Sequence, residues 1–279
     1  MIGVLHLYCA DCNHSGEEED TFCSRCGNAL VAPAAIDQGP GVDFGIAGAG
    51  LLSPPWRGGQ VAMGVLVILA AIIPVVLLSE GFAALVDRDR TAVVAWTSSM
   101  MMGLVILAVV WQFGLGRNLT VPSSLGLARP SGSLPVAILL AVAALLGSLV
   151  VTGLYTGLVR WLDAGLLMPP VIEDEITFPG VVSLMSFFAL AVWTPITEEI
   201  FFRGFIFAGL IPRLGPRWSM AASAAIFSAF HLNLGVVVPI FATGLILAWL
   251  YRRTGSLWPG IAAHAGQNAL ALLAAMYGA

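Results

Sequence analysis

From residue 60 onward the chain alternates long apolar runs with short polar or proline-bearing joints. An α-helix needs about 20 apolar residues to cross a bilayer. On that measure spans are predicted near 61–84, 91–114, 134–160, 181–211, 217–233, 236–251 and 256–277. The expected fold is therefore an all-α polytopic membrane helical bundle of about seven spans. The fourth run is long for one crossing and has Pro195 in its middle, which predicts a kink or a steep tilt. The fifth and sixth are short and joined through His231-Leu232-Asn233, so they are expected to pair tightly. Residues 119–133, mixing Leu, Arg and Pro, and the acidic stretch 171–179 read as interfacial segments rather than crossings.

Composition agrees with a membrane protein. Hydrophobic residues make up 58% and charged residues 10% of the 279 positions, against about 25% charged in a soluble domain. Mean hydropathy is +0.92. No basic run is long enough to track phosphates, so nucleic acid is not an expected partner; the lipid bilayer is. All 12 basic residues are Arg, and their placement sets an orientation. With a cytoplasmic N-terminus, inside loops hold Arg25, Arg57, Arg117, Arg129, Arg213, Arg217, Arg252 and Arg253, and outside loops hold Arg88, Arg90 and Arg160. The expected location is a bacterial cell membrane, multi-pass, with the N-terminus inside.

The first 30 residues break this pattern. Met1–Tyr8 is short and uncharged, unlike a secretory signal, and the chain's four cysteines follow it as two Cys-x-x-Cys pairs, Cys9/Cys12 and Cys23/Cys26. Two such turns supply four thiolates, a closed tetrahedral shell for a structural Zn²⁺. His6 and His14 are near enough to serve as alternative ligands, but four cysteines suffice. The pattern resembles a zinc ribbon, for recruitment or regulation through a protein partner. So small a module has little core, and metal binding would supply most of its folding free energy. Residues 31–59, rich in Gly, Ala and Pro, read as a flexible linker, leaving 60–279 as the transmembrane domain.

Within the apolar runs a few polar residues stand out. Glu198, Glu199 and Arg203 lie in Thr194–Phe205, and a charge at bilayer depth costs about 2.5–3.5 kcal/mol on insertion scales. Such groups persist when paired, hydrated or used. Glu199 and Arg203 are four apart and share a helix face, whereas Glu198 is rotated about 100° away. His231 and His264 are the histidines beyond the N-terminal module, and both are expected within helices; Asn268 shares a face with His264. Counted from the proposed cytoplasmic loops at 1.5 Å per residue, Glu198, His231 and Asn268 fall about 21 Å deep and His264 about 15 Å. Three helices thus bring polar groups to similar levels.

Residue types narrow the chemistry. Neither a Gly-x-Ser-x-Gly elbow nor a His-Glu-x-x-His zinc helix is present. A buried Glu198 is suited to take a proton from water, His231 to orient or activate that water, and His264 with Asn268 to donate hydrogen bonds to a developing oxyanion. That set fits amide hydrolysis by water attack.

Glu198-Glu199-x-x-x-Arg203, Phe227-x-x-x-His231 and His264-x-x-x-Asn268 resemble, in order, the three motifs of the CPBP family. It comprises the type II CAAX prenyl endopeptidases and the bacterial bacteriocin-processing or immunity (Abi) proteins. The resemblance covers about residues 180–270 and implies an all-helical intramembrane glutamate-type endopeptidase acting on a peptide or membrane protein. In it Glu198 and His231 would activate water, His264 and Asn268 would form the oxyanion site, and Glu199 and Arg203 would brace the helix. The resemblance favours metal-free catalysis; the residue types alone also permit a metal held by Glu198, Glu199, His231 and His264. Two other classes fit the same cluster. One is a non-catalytic scaffold or immunity protein using it for binding; the other is a proton relay, which the lack of paired interrupted repeats disfavours.

Overall fold

The computed structural model describes residues 54–86, 90–118, 120–170 and 181–277, together with the backbone of three short strands. The chain divides into two compact units, Met1–Ala47 and Gly48–Ala279.

In the first unit β1 (Leu7–Cys9), β2 (Ser15–Gly16) and β3 (Leu30–Val31) form an antiparallel sheet in the order β2-β1-β3. Leu7 stands opposite Gly16, and Cys9 stands opposite Leu30. Cys9 ends β1, and the β1–β2 connection carries Cys12. Pairing of β3 with β1 returns the chain beside Cys9 four residues after Cys26. Cys12, Cys23 and Cys26 themselves lie outside the described residues, as does the acidic stretch 171–179.

The second unit is helical. Five helices are long and apolar enough to cross a membrane: α1 (Gly58–Ala83), α2 (Arg90–Asn118), α3 (Leu134–Trp161), α4 (Leu184–Ala229) and α5 (Leu234–Thr254). A sixth, α6 (Trp258–Tyr277), is not among these five. α1 shows the logic of the bundle. Val61, Gly64, Ile68, Val75, Ser79 and Ala83 recur at three- and four-residue steps and are buried, while Leu66, Ile73 and Leu77 point outward. An apolar outward face is stable in lipid, and the chain is an integral membrane protein.

At Pro195, where a kink or steep tilt is expected, α4 changes its helical winding. Proline supplies no N–H and crowds the preceding turn. Here the helix widens into π-helical stretches, Phe188–Trp193 and Ile200–Phe207, on either side of the α-helical turn Thr194–Glu199. The true break comes at Gly215, whose φ of 69° and ψ of 166° interrupt the helix between Pro212 and Pro216. The predicted fourth and fifth spans are thus the two arms of α4. Seven crossings would require each arm and α6 to cross.

The second arm ends at Ala229, so His231 lies in the turn before α5 and not within a helix as expected. Leu232 adopts a positive φ and the Asn233 side chain caps α5 by accepting from the Gly235 N–H, which together stop the helix. Non-helical backbone at membrane depth is tolerated where it lines a cavity.

Two segments outside the long helices fix their relative positions. Trp56, which the sequence assigns to the linker, is fully buried; its indole Nε1 donates to the Phe205 carbonyl at 2.9 Å. Gly209 allows that contact, since a Cβ there would lie 2.7 Å from the Trp56 ring. Residues 120–133 pack under the α5–α6 corner. Tyr251 Oη donates to the Leu125 carbonyl, Leu257 N–H to Gly126 and Ser256 Oγ to Ala128. Gly126, at φ 83°, turns the chain where a Cβ would strike Tyr251. The corner in turn fixes where α6 begins, and hence where His264 sits.

Candidate active site

α4 presents Glu199, at the end of its α-helical turn, and Arg203, in the π-helical stretch that follows, to the interior, both completely buried. Arg203 Nη1 donates to Glu199 Oε1 at 2.7 Å, the i,i+4 pair the sequence predicts. Arg203 Nη2 reaches the Gly244 carbonyl of α5 at 3.3 Å. The guanidinium carbon stands 4.4 Å from the Phe227 ring centre, within cation–π range. Gly244 makes this possible by letting α5 close on Ala224, which a Cβ would meet at 2.9 Å.

α6 adds the next member. His264 Nδ1 lies 3.0 Å from Glu199 Oε1, so one carboxylate oxygen joins Arg203 and His264. An ionised carboxylate only accepts hydrogen bonds, so Nδ1 carries the proton in this contact. His264 Nε2 is then the nitrogen facing Glu198, at 3.7 Å from Oε2. That distance is too long for a direct hydrogen bond. Gly260, one turn earlier on α6, permits the approach: a Cβ there would stand 3.2 Å from Glu199 Oε2.

Glu198 is the more open carboxylate, 20% exposed against none for Glu199. It lines a cavity of about 270 Å³ whose polar lining also includes His231, Thr194, Thr197, Ser98 and Ser99. Ile68, Ile72 and Val75 of α1 and Met102 of α2 form the apolar wall. His231 Nδ1 lies 2.9 Å from the Phe227 carbonyl, which can only accept; Nδ1 is therefore the protonated nitrogen and Nε2 is left basic. Phe227 sits at the centre of the cluster. Its ring meets His231 and His264 edge-on at centroid distances of 5.1 and 5.7 Å, and it carries Arg203 on its face.

Four predicted residues thus form one connected group: Glu198, Glu199, Arg203 and His264. His231 shares a cavity with Glu198. Asn268 Nδ2 instead donates to the Leu190 carbonyl of α4 at 2.9 Å, a bond that ties α6 to the π-helical stretch before Pro195. The sequence missed Gly260, Gly244 and the loop at 120–133. Each acts through close backbone approach, which leaves no periodic or charge signal.

The described residues contain no group of three or more His, Cys, Asp or Glu side chains arranged to hold a metal ion. Glu199 Oε1 is shared between Arg203 and His264.

Residues 180–270 match a protein family described as type II CAAX prenyl endopeptidase Rce1-like. The match supports the CPBP family. It takes in α4, the turn with His231, α5 and most of α6, which together hold all six site residues. A Bacillus subtilis (strain 168) protein named "Putative membrane peptidase YdiL" is 34% identical over 79 residues, 28% of this chain and 32% of that protein. The chain therefore spans about a third of the length of the curated relative it matches. No solved structure matches the chain. Together these relationships support a membrane protease of the CAAX-protease type.

Proposed function

We propose that the protein is an intramembrane endopeptidase that hydrolyses a peptide bond in a membrane-associated peptide or protein through water activated by Glu198 and His231. The observation that carries this reading is the shared cavity: a partly open carboxylate and an imidazole with a basic nitrogen border the same pocket. Water held there loses a proton to Glu198 as it attacks the carbonyl carbon, and the oxyanion that forms needs donors nearby.

His264 bears on that second need. With Nδ1–H committed to Glu199, Nε2 donates to an oxyanion when the ring is an imidazolium, and Glu199 is its counter-ion. Asn268, bonded to Leu190, acts in this arrangement as an α4–α6 tie; to join the oxyanion site it must release that carbonyl.

The rest of the reading follows the sequence. The N-terminus is cytoplasmic by arginine bias, and the transmembrane unit crosses seven times, counting both arms of α4 and α6. Residues 1–30 bind one structural Zn²⁺ through Cys9, Cys12, Cys23 and Cys26 and recruit a protein partner.

The test is substrate trapping with Glu198→Gln in the full-length protein, with bound peptides identified by mass spectrometry. Wild type should release products that Glu198→Gln and His231→Ala do not, while both variants insert and unfold normally. Retained cleavage in both would overturn the peptidase. Captured ligand with no turnover by wild type would favour a binding or immunity protein instead.

A further inference from the structure

Leu232 stands in a conformation that its residue type resists. Its φ is 49°, and it shares a positive φ with Asp163 alone among the described non-glycine residues. The left-handed region crowds an L side chain, so Gly or Asn usually fills such a position. The turn itself is ordinary: the Leu232 N–H reaches the Ala229 carbonyl at 3.1 Å, and the next residue caps α5.

Among the described residues, packing does not repay the choice of Leu. The side chain is 74% exposed, so it fills no core. The outward leucines of α1 and α3 stand on ordinary helical backbone, whereas Leu232 does not. What sets Leu232 apart is its place. It follows His231 directly and lines the cavity that holds Glu198, together with Ile72, Val75 and Val76 of α1. Backbone strain at a site residue points to a function that offsets it.

We propose that Leu232 is a specificity-determining residue, its isobutyl group forming the rim of the cavity and packing against a bulky apolar side chain of the substrate next to the scissile bond. This rests on the peptidase reading and deepens it. The rim would close over the bound side chain from the α4–α5 turn while α1 and α2 receive it from below. A glycine or asparagine would keep the turn and lose the contact.

The experiment uses the full-length protein in lipid nanodiscs and a defined peptide library, with cleavage sites read by mass spectrometry. Leu232→Gly and Leu232→Asn are compared with wild type for kcat and KM on peptides differing only in the residue beside the cleaved bond. Both variants should unfold at or above the wild-type temperature, since each suits the backbone. The wild-type preference for Leu or Phe over Ala beside the cleaved bond should fall at least about tenfold, mainly through KM. A preference unchanged in both variants overturns the role of Leu232 and leaves the peptidase standing. An equal loss of kcat on every peptide also overturns it, because that pattern means His231 has moved. If wild type cleaves no peptide in the library, the peptidase reading itself fails and takes this inference with it.

Discussion

Glu199 and His264 meet at 3.0 Å across a sequence separation of 65 residues, and Arg203 holds the same carboxylate oxygen at 2.7 Å. A single buried oxygen therefore sets the protonated nitrogen of His264, the position of α6 and the guanidinium of α4. The more open Glu198 is left beside the cavity.

Removing one partner from a buried ion pair leaves a charge with no compensation, at a cost of about 3–5 kcal/mol. Glu199→Ala should lower the unfolding midpoint in mild detergent sharply and abolish cleavage. Glu199→Gln keeps the shape and one acceptor, so it should lose less stability. Equal midpoints for wild type and Glu199→Ala would show that the oxygen is not a structural hub.

Arg203→Lys keeps the charge but cannot span Glu199 and the Gly244 carbonyl with two separate donors, nor lay a planar cation over Phe227. We expect a loss of about 1–3 kcal/mol in stability and a fall in kcat through the freed His264. Wild-type kcat and midpoint in this variant would refute the bridging role.

Gly260→Ala places a methyl 3.2 Å from Glu199 Oε2, tighter than side chains normally pack. The result should be a modest stability loss, about 1–3 kcal/mol as for other overpacked sites. The fall in kcat should be larger than global destabilisation explains, because α6 carries His264. Assays well below the unfolding midpoint separate the two effects.

The N-terminal module makes an independent prediction. Chelation with EDTA should expose residues 1–30 to protease while the helical unit stays protected, because metal binding supplies most of a small module's folding free energy. Purified protein should contain one zinc per chain, lost in Cys9→Ser/Cys12→Ser. Unchanged protease sensitivity of residues 1–30 after chelation would sink the zinc ribbon.

What the sequence determined by itself is whatever repeats or costs energy locally. Apolar runs of bilayer length marked the long helices, since helix rise and bilayer thickness are fixed. Charges in those runs marked the site, because their burial needs a reason. The i,i+4 spacing of Glu199 and Arg203 marked their pairing, which needs no tertiary information. Only the tertiary structure decided the rest. Pro195 stands in a short α-helical turn between two π-helical stretches, which no sequence period announces. His231 moves out of a helix because Leu232 and Asn233 end α4 just before it. Asn268 turns to Leu190 because α6 lies against the π-helical stretch. Trp56 belongs to the core because Gly209 leaves a slot for its ring. Each of these depends on contacts between residues far apart in the chain, where periodicity and local spacing carry no information.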